Sequence, residues 1–118
     1  MIKNISKRKL NRPSSHRIAT LKNLAGNLIR YENIKTTQAK AKELRWYIEH
    51  LISKIRKTKE LFNQYRIANR FLSSEQLSDK LIKVIIPRYK DIKSGYIKIA
   101  NLCYRKGDNA KMCIVKFK

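Results

Sequence analysis

No carboxylate occurs in the chain before Glu32. The first 31 residues carry eight Lys/Arg and no acid, which limits what they can do alone. Like charges without counter-charges repel one another. Residues 1–13 also show neither a helical nor a strand period, and Pro13 closes the stretch. Such a segment cannot bury enough apolar surface to offset the entropy of ordering it. The expectation is an extended basic arm over 1–13 that takes shape against a partner, followed by a single domain over 14–118. The imbalance persists beyond the arm, with 29 Lys+Arg against 8 Asp+Glu and a net charge of +21. Residues 88–118 hold nine basic side chains against Asp91 and Asp108, whereas 32–87 hold twelve against six. Both ends are therefore more one-signed than the middle, which reads as scaffold. The implied counterpart is a polyanion, nucleic acid first and an anionic membrane surface second.

Other classes fall away on composition. Uncharged stretches are far shorter than the ~20 residues a spanning helix needs, so no membrane insertion is expected. The opening Met1-Ile2-Lys3-Asn4-Ile5 lacks a signal-peptide core. Two cysteines, Cys103 and Cys113, do not make a disulfide scaffold, and they fit a reducing compartment. They fall on neighbouring strands in this reading; two buried small hydrophobes are expected, with a bridge as the alternative.

Periodicity supplies the elements. Ile18, Leu21, Leu24, Ala25, Leu28 and Ile29 recur at steps of three and four, forming one helix stripe behind the N-cap hydroxyls of Ser14 and Ser15. The opposite face carries His16, Arg17, Lys22, Asn23 and Arg30. A brief strand follows over 32–36, then a helix capped by Thr37 with Ala41, Leu44, Ile48, Leu51, Ile52 and Ile55 inward. A third helix over 60–72 turns Leu61, Tyr65, Ala68 and Leu72 inward. Ser73-Ser74-Glu75-Gln76 matches a capping box. It opens a fourth helix bearing Leu77, Leu81, Val84 and Ile85, which Pro87 stops. From Ser94 the period becomes two, giving strands over 96–105 and 111–118 around the turn Lys106-Gly107-Asp108-Asn109-Ala110. The fold class is α+β in the order α-β-α-α-α-β-β, with helices on one face of a small three-stranded mixed sheet.

Catalytic constellations are missing from this inventory. His16 and His50 sit on different helices, nine residues separate the cysteines, and Gly26, Gly95 and Gly107 are scattered. The sequence therefore holds no metal-ligand spacing, no phosphate-cradling loop and no nucleophile with an orienting acid, so no enzyme, cofactor or small-molecule substrate is expected. Cations gather at three places instead. The arm has Lys3, Lys7, Arg8, Lys9 and Arg12, interspersed with Asn4, Ser6, Asn11 and Ser14 as short donors for phosphate and ribose. At the start of the second helix, Thr36 and Thr37 lie beside free backbone N–H groups, with Lys40 and Lys42 close behind, an arrangement suited to an anion. Plain N-capping by Thr37 is compatible with that. The third group is Arg88, Tyr89, Lys90, Lys93, Tyr96 and Lys98, with Arg105 and Lys106 in the hairpin turn. Aromatics among cations suit stacking on unpaired bases, although Tyr96 fits a half-buried sheet position equally. Trp46 lies off the helix stripe beside Arg45, and the residues leave open whether it faces a partner or RNA.

These residues are also familiar in order. Lys9-Leu10-Asn11-Arg12, Ser14-Ser15-His16-Arg17 and Leu24-Ala25-Gly26 resemble the opening of the bacterial-type large-subunit ribosomal protein L-seventeen family. Glu32-Asn33-Ile34-Lys35-Thr36-Thr37 with Ala39-Lys40-Ala41-Lys42-Glu43-Leu44-Arg45 is similar to its central signature. Pro87-Arg88-Tyr89, Ser94-Gly95-Tyr96 and Arg105-Lys106-Gly107-Asp108-Asn109-Ala110 are similar to its C-terminal motifs. The resemblance covers the chain from near Lys9 to Phe117. Ser94, Ile97 and Lys98 depart from the family's Gly-Gly-Tyr-Thr-Arg, Lys111 replaces a usual Pro, and the Arg-His opening is missing.

The resemblance implies a structural protein of the large ribosomal subunit, without catalysis. Its partner would be large-subunit rRNA, touched by the arm and the first two helices. It would sit on the solvent side towards the tunnel exit, beside other large-subunit proteins. A Lys-, Ile- and Asn-heavy composition suggests an AT-rich genome, which fits an organelle and some reduced bacteria alike; the departures from the family motifs tip the compartment towards the mitochondrion, with bacterial cytoplasm or plastid as alternatives. The rival readings are a free DNA- or mRNA-binding regulator, which needs a base-reading helix, and a membrane-surface binder, whose apolar stripe here is committed to a core.

Overall fold

The computed structural model describes Leu10 and residues 13–118. Nearly all of the arm, including Lys3, Lys7, Arg8, Lys9, Asn11 and Arg12, therefore lies outside the described residues. The elements run α1 (Ser14–Tyr31), β1 (Asn33–Thr37), α2 (Gln38–Lys57), α3 (Leu61–Phe71), α4 (Glu75–Lys80), β2 (Ile97–Tyr104) and β3 (Lys111–Phe117), the α+β order expected.

The stripe of α1 buries Leu21, Ala25, Leu28 and Ile29, while Ile18 in the second turn runs off the edge of the core and stays exposed. Ser14 and Ser15 do not cap it. Pro13 occupies the N-cap, with φ −63° as its ring requires, and both serines are already helical. The helix ends on Glu32 in the left-handed region, φ 63°, its N–H bonded to the Leu28 carbonyl at 2.7 Å. Glycine is the usual residue there. Glu32 is anchored instead by its side chain, which pairs with Arg88 and lies 3.8 Å from Lys80 Nζ.

Helix α2 is the spine. Ala41, Leu44, Tyr47, Ile48, Leu51, Ile52 and Ile55 are all buried on it, facing α1, α3 and the sheet. In α3, Ala68 faces inward and Leu72 follows it into the core, with Tyr65 half-buried. Leu61 points to solvent, contrary to expectation, because it starts the helix beyond the end of the core. The cap of α4 is Ser74 and not Ser73: its hydroxyl accepts from Gln76 N–H at 3.3 Å, so Gln76 stands two residues past the cap and the expected capping box does not form. Pro87 does not stop the helical path, which continues through a π-type turn (Leu81–Ile85) into a 3-10 turn (Ile86–Tyr89). There Pro87 stands at the start of the 3-10 turn, where its ring supplies a φ the turn already uses. Val84 is exposed on the outer side of this widened segment.

The sheet order is β1-β3-β2 and both pairings are antiparallel, so the sheet is not mixed. β1 and β2 run the same way, but the last strand lies between them and they never pair. A register break between Asn101 and Tyr104 bulges the edge strand β2. The hairpin turn needs positive φ at Gly107 (106°) and Asn109 (56°), both residue types that tolerate it. One sheet face, bearing Cys113, Val115, Phe117 and Ile97, completes the core with α2. Cys113 is buried there opposite Asn101, whereas Cys103 is exposed, so the two thiols are free and only one is a core residue.

Candidate nucleic-acid interface

The first turn of α1 exposes Ser14, Ser15 and His16, and it contains no acid. Arg17 lies half-buried beside them, with one guanidinium nitrogen 3.5 Å from Ser14 Oγ, and Lys22 follows a turn later. The α2 N-terminus is similar in character. Thr37 is its N-cap residue, yet its side chain makes no capping bond, and no acid stands in the first turn. Lys40 is half-buried and Lys42 exposed nearby. Thr36 is not available to a ligand: its side chain is buried opposite Cys113 on the core face of the sheet, as strand alternation demands.

The third group separates into core and surface. Tyr89 and Tyr96 are 2% and 1% exposed, which removes both as base-stacking platforms. Tyr89 donates to the Lys118 carbonyl at 2.8 Å, and burial pushes its phenol pKa up. Tyr96 donates to the Lys93 carbonyl at 2.9 Å and accepts from Arg56 at 2.5 Å. Arg56 also donates to the carbonyls of Ile92 and, at 3.2 Å, Lys90, so this one guanidinium holds the loop before β2. Arg88 is committed to Glu32, whose carboxyl pKa that bond lowers. Arg105 is likewise committed. It pairs with Asp108 across the turn, and Ala110 N–H donates to the same carboxylate at 3.2 Å. These bonds, Arg105 foremost, bring the Asp108 pKa down to about 2. Lys93, Lys98 and Lys106 remain exposed.

Two further cations emerge that the sequence reading passed over. With period two, Lys35, Lys98 and Lys116 fall on the sheet face turned away from the core, alongside Ala100, Met112 and Ile114. Lys98 and Lys116 are directly opposite in register, and no carboxylate occupies that face among the described residues. Like charges facing across a strand pair destabilise a sheet, and an anion between them reverses the sign. The alternation that marked the strands also marks Lys35 and Lys116, once each strand's inward face is known.

Trp46 is about half exposed on α2, stacked on His50 with ring centroids 5.1 Å apart. Among the described residues, no three His, Cys, Asp or Glu cluster as metal ligands, and no helix is long and apolar enough to cross a membrane.

An α+β scaffold whose cations collect on uncovered helix and sheet surfaces defines a class, the basic structural binding domain. Comparison with known proteins makes it specific. The family model for ribosomal protein L17 matches residues 20–118. The large ribosomal subunit protein bL17 of Wolbachia sp. subsp. Drosophila simulans (strain wRi) is 43% identical over 112 residues, 95% of this chain and 79% of that protein. Its namesake in Campylobacter jejuni subsp. doylei is 44% identical over 110 residues, 93% of this chain and 92% of that protein. The chain belongs to the ribosomal protein L17 family, a structural and non-enzymatic one.

Proposed function

We propose that the chain is a structural constituent of the large ribosomal subunit, and that its uncovered cations bind large-subunit rRNA and support subunit assembly. Family membership carries the ribosomal role. The acid-free sheet face of Lys35, Lys98 and Lys116 is the observation that supports RNA as the direct partner. Cations there displace condensed counterions from phosphates. His16, Arg17, Lys22, Lys40 and Lys42 extend the contact over the first turns of α1 and α2. The arm over 1–13 fills a groove between RNA helices, and the domain over 14–118 fixes its register. Neighbouring large-subunit proteins cover surfaces that RNA does not.

Binding of the full chain to a large-subunit rRNA fragment, titrated with salt, tests this. With ~8 phosphates engaged, log K falls against log salt with a slope of roughly −6 to −7. A slope near zero overturns the mechanism. Failure to co-sediment with the large subunit at low salt overturns the ribosomal role.

The compartment is a finer proposal. A mitochondrial ribosome rests on the Lys-, Ile- and Asn-heavy composition and the departures from the family motifs, and the relatives named above come from bacteria. Immunolocalisation in source cells decides between organelle and bacterial cytoplasm.

A further inference from the structure

Helix α3 carries a surface that none of the three cation groups includes. Phe62 is 71% exposed and Leu61 59% exposed, and neither has a place in the core. Along the same outward face, at steps of four, follow Arg66 and Arg70. The Arg66 guanidinium lies over the Phe62 ring, 5.9 Å from its centre. Beside them Thr58, Asn63, Arg66, Ile67 and Arg70 line an open depression of about 320 Å³. Glu60, just before the helix, has its carboxylate engaged by Asn63 Nδ2 at 3.1 Å. Neither arginine pairs with a carboxylate among the described residues, and two like charges four apart weaken a helix.

The floor of this surface is held rigidly. Gln64 donates to the Thr58 carbonyl at 2.8 Å and to that of Ile55 at 3.4 Å, tying the start of α3 to the end of α2. An exposed aromatic with a guanidinium on one side and a second one a turn further has a specific complement. The free ring face takes an unpaired base, and the arginines take the adjoining phosphates. A duplex cannot use it, because its bases are already stacked and paired.

We propose that Phe62, Arg66 and Arg70 form a stacking site for one unpaired nucleotide of RNA. The site rests on the RNA-binding reading above and adds to it a preference for single-stranded segments at the α3 face. It lies apart from the α1, α2 and sheet surfaces.

The test measures the full-length chain against two labelled probes, a single-stranded oligoadenylate about twelve nucleotides long and a fully paired RNA hairpin of similar charge. Phe62→Ala weakens single-strand binding roughly tenfold and leaves the hairpin affinity and the melting temperature unchanged. Phe62→Tyr restores single-strand binding, because the ring face returns, whereas Phe62→Leu does not. Equal affinity of Phe62→Ala and the unaltered chain for the single strand overturns the proposal. So does a Phe62→Ala chain that binds both probes normally but fails to enter ribosomal subunits, which assigns the face to a protein neighbour. If Lys116→Glu weakens hairpin binding in the same series, the general RNA reading stands whatever Phe62 does.

Discussion

Tyr89 and Tyr96 pack against each other with ring centroids 5.3 Å apart and planes tilted by 60°, each hydroxyl spent on a backbone carbonyl. The pair closes the end of the core where the 3-10 turn meets β2. Their aromatic mass works for the fold, and their cationic neighbours stay outside.

Tyr96→Phe follows from that. The change strands the Lys93 carbonyl and removes one of three acceptors of Arg56, at a cost of about 1–3 kcal/mol. Thermal denaturation shows a melting temperature several degrees lower. RNA affinity per folded molecule stays constant, because the hydroxyl that is lost bonds only within the fold.

Lys116 separates binding from stability. Lys116→Glu places a carboxylate opposite Lys98 and stabilises the sheet by roughly 0.2–1 kcal/mol. Lys116→Gln lowers the magnitude of the salt slope for RNA binding by about 1. Melting and binding measured on one preparation move in opposite directions for the Glu variant.

Acid weakens the fold through the two paired carboxylates. Asp108 has a folded pKa of about 2, and Glu32 is also lowered. Depressed values mean that the folded state holds fewer protons than the unfolded one. The stability they contribute is complete above the unfolded carboxylate pKa of about 4 and is lost as pH falls towards 2. Asp108→Asn flattens part of that limb in melting curves taken between pH 5 and pH 2, and leaves a turn less stable at neutral pH.

The thiols provide a fourth check. Cys103 is exposed and Cys113 buried on the core face of the sheet. A thiol reagent modifies Cys103 in the native protein and both cysteines in denaturant, and mild oxidation forms no internal bridge. A Cys103–Cys113 cross-link in the native monomer contradicts the strand register.

Much of this was legible in sequence because burial has a period. The three-and-four spacing of α1 and α2 and the alternation after Ser94 place the elements within a residue or two. The errors fall where tertiary packing decides. Tyr89 and Tyr96 among Lys and Arg look the same whether the rings point in or out, and their partners, the Lys118 carbonyl for Tyr89 and Arg56 for Tyr96, lie 29 and 40 residues away. Arg105 reads as a free cation until the turn curls Asp108 against it. Leu61 keeps the helical period but lies past the edge of what it would pack on. Glu32 ends α1 in a conformation that usually needs glycine, and its anchor, Arg88, is too distant in sequence to suggest it.

The strand order has a consequence for synthesis. Among the described residues β1 pairs only with β3, which follows every other described element in the chain, and Glu32 O waits for Phe117 N–H. Until residues 111–117 are made and free to pair, the early strand stays without a mate, and non-local pairing of this kind is slow to form. The sheet therefore closes only when β3 arrives, and the helices made between β1 and β3 must hold the early strand in place until then.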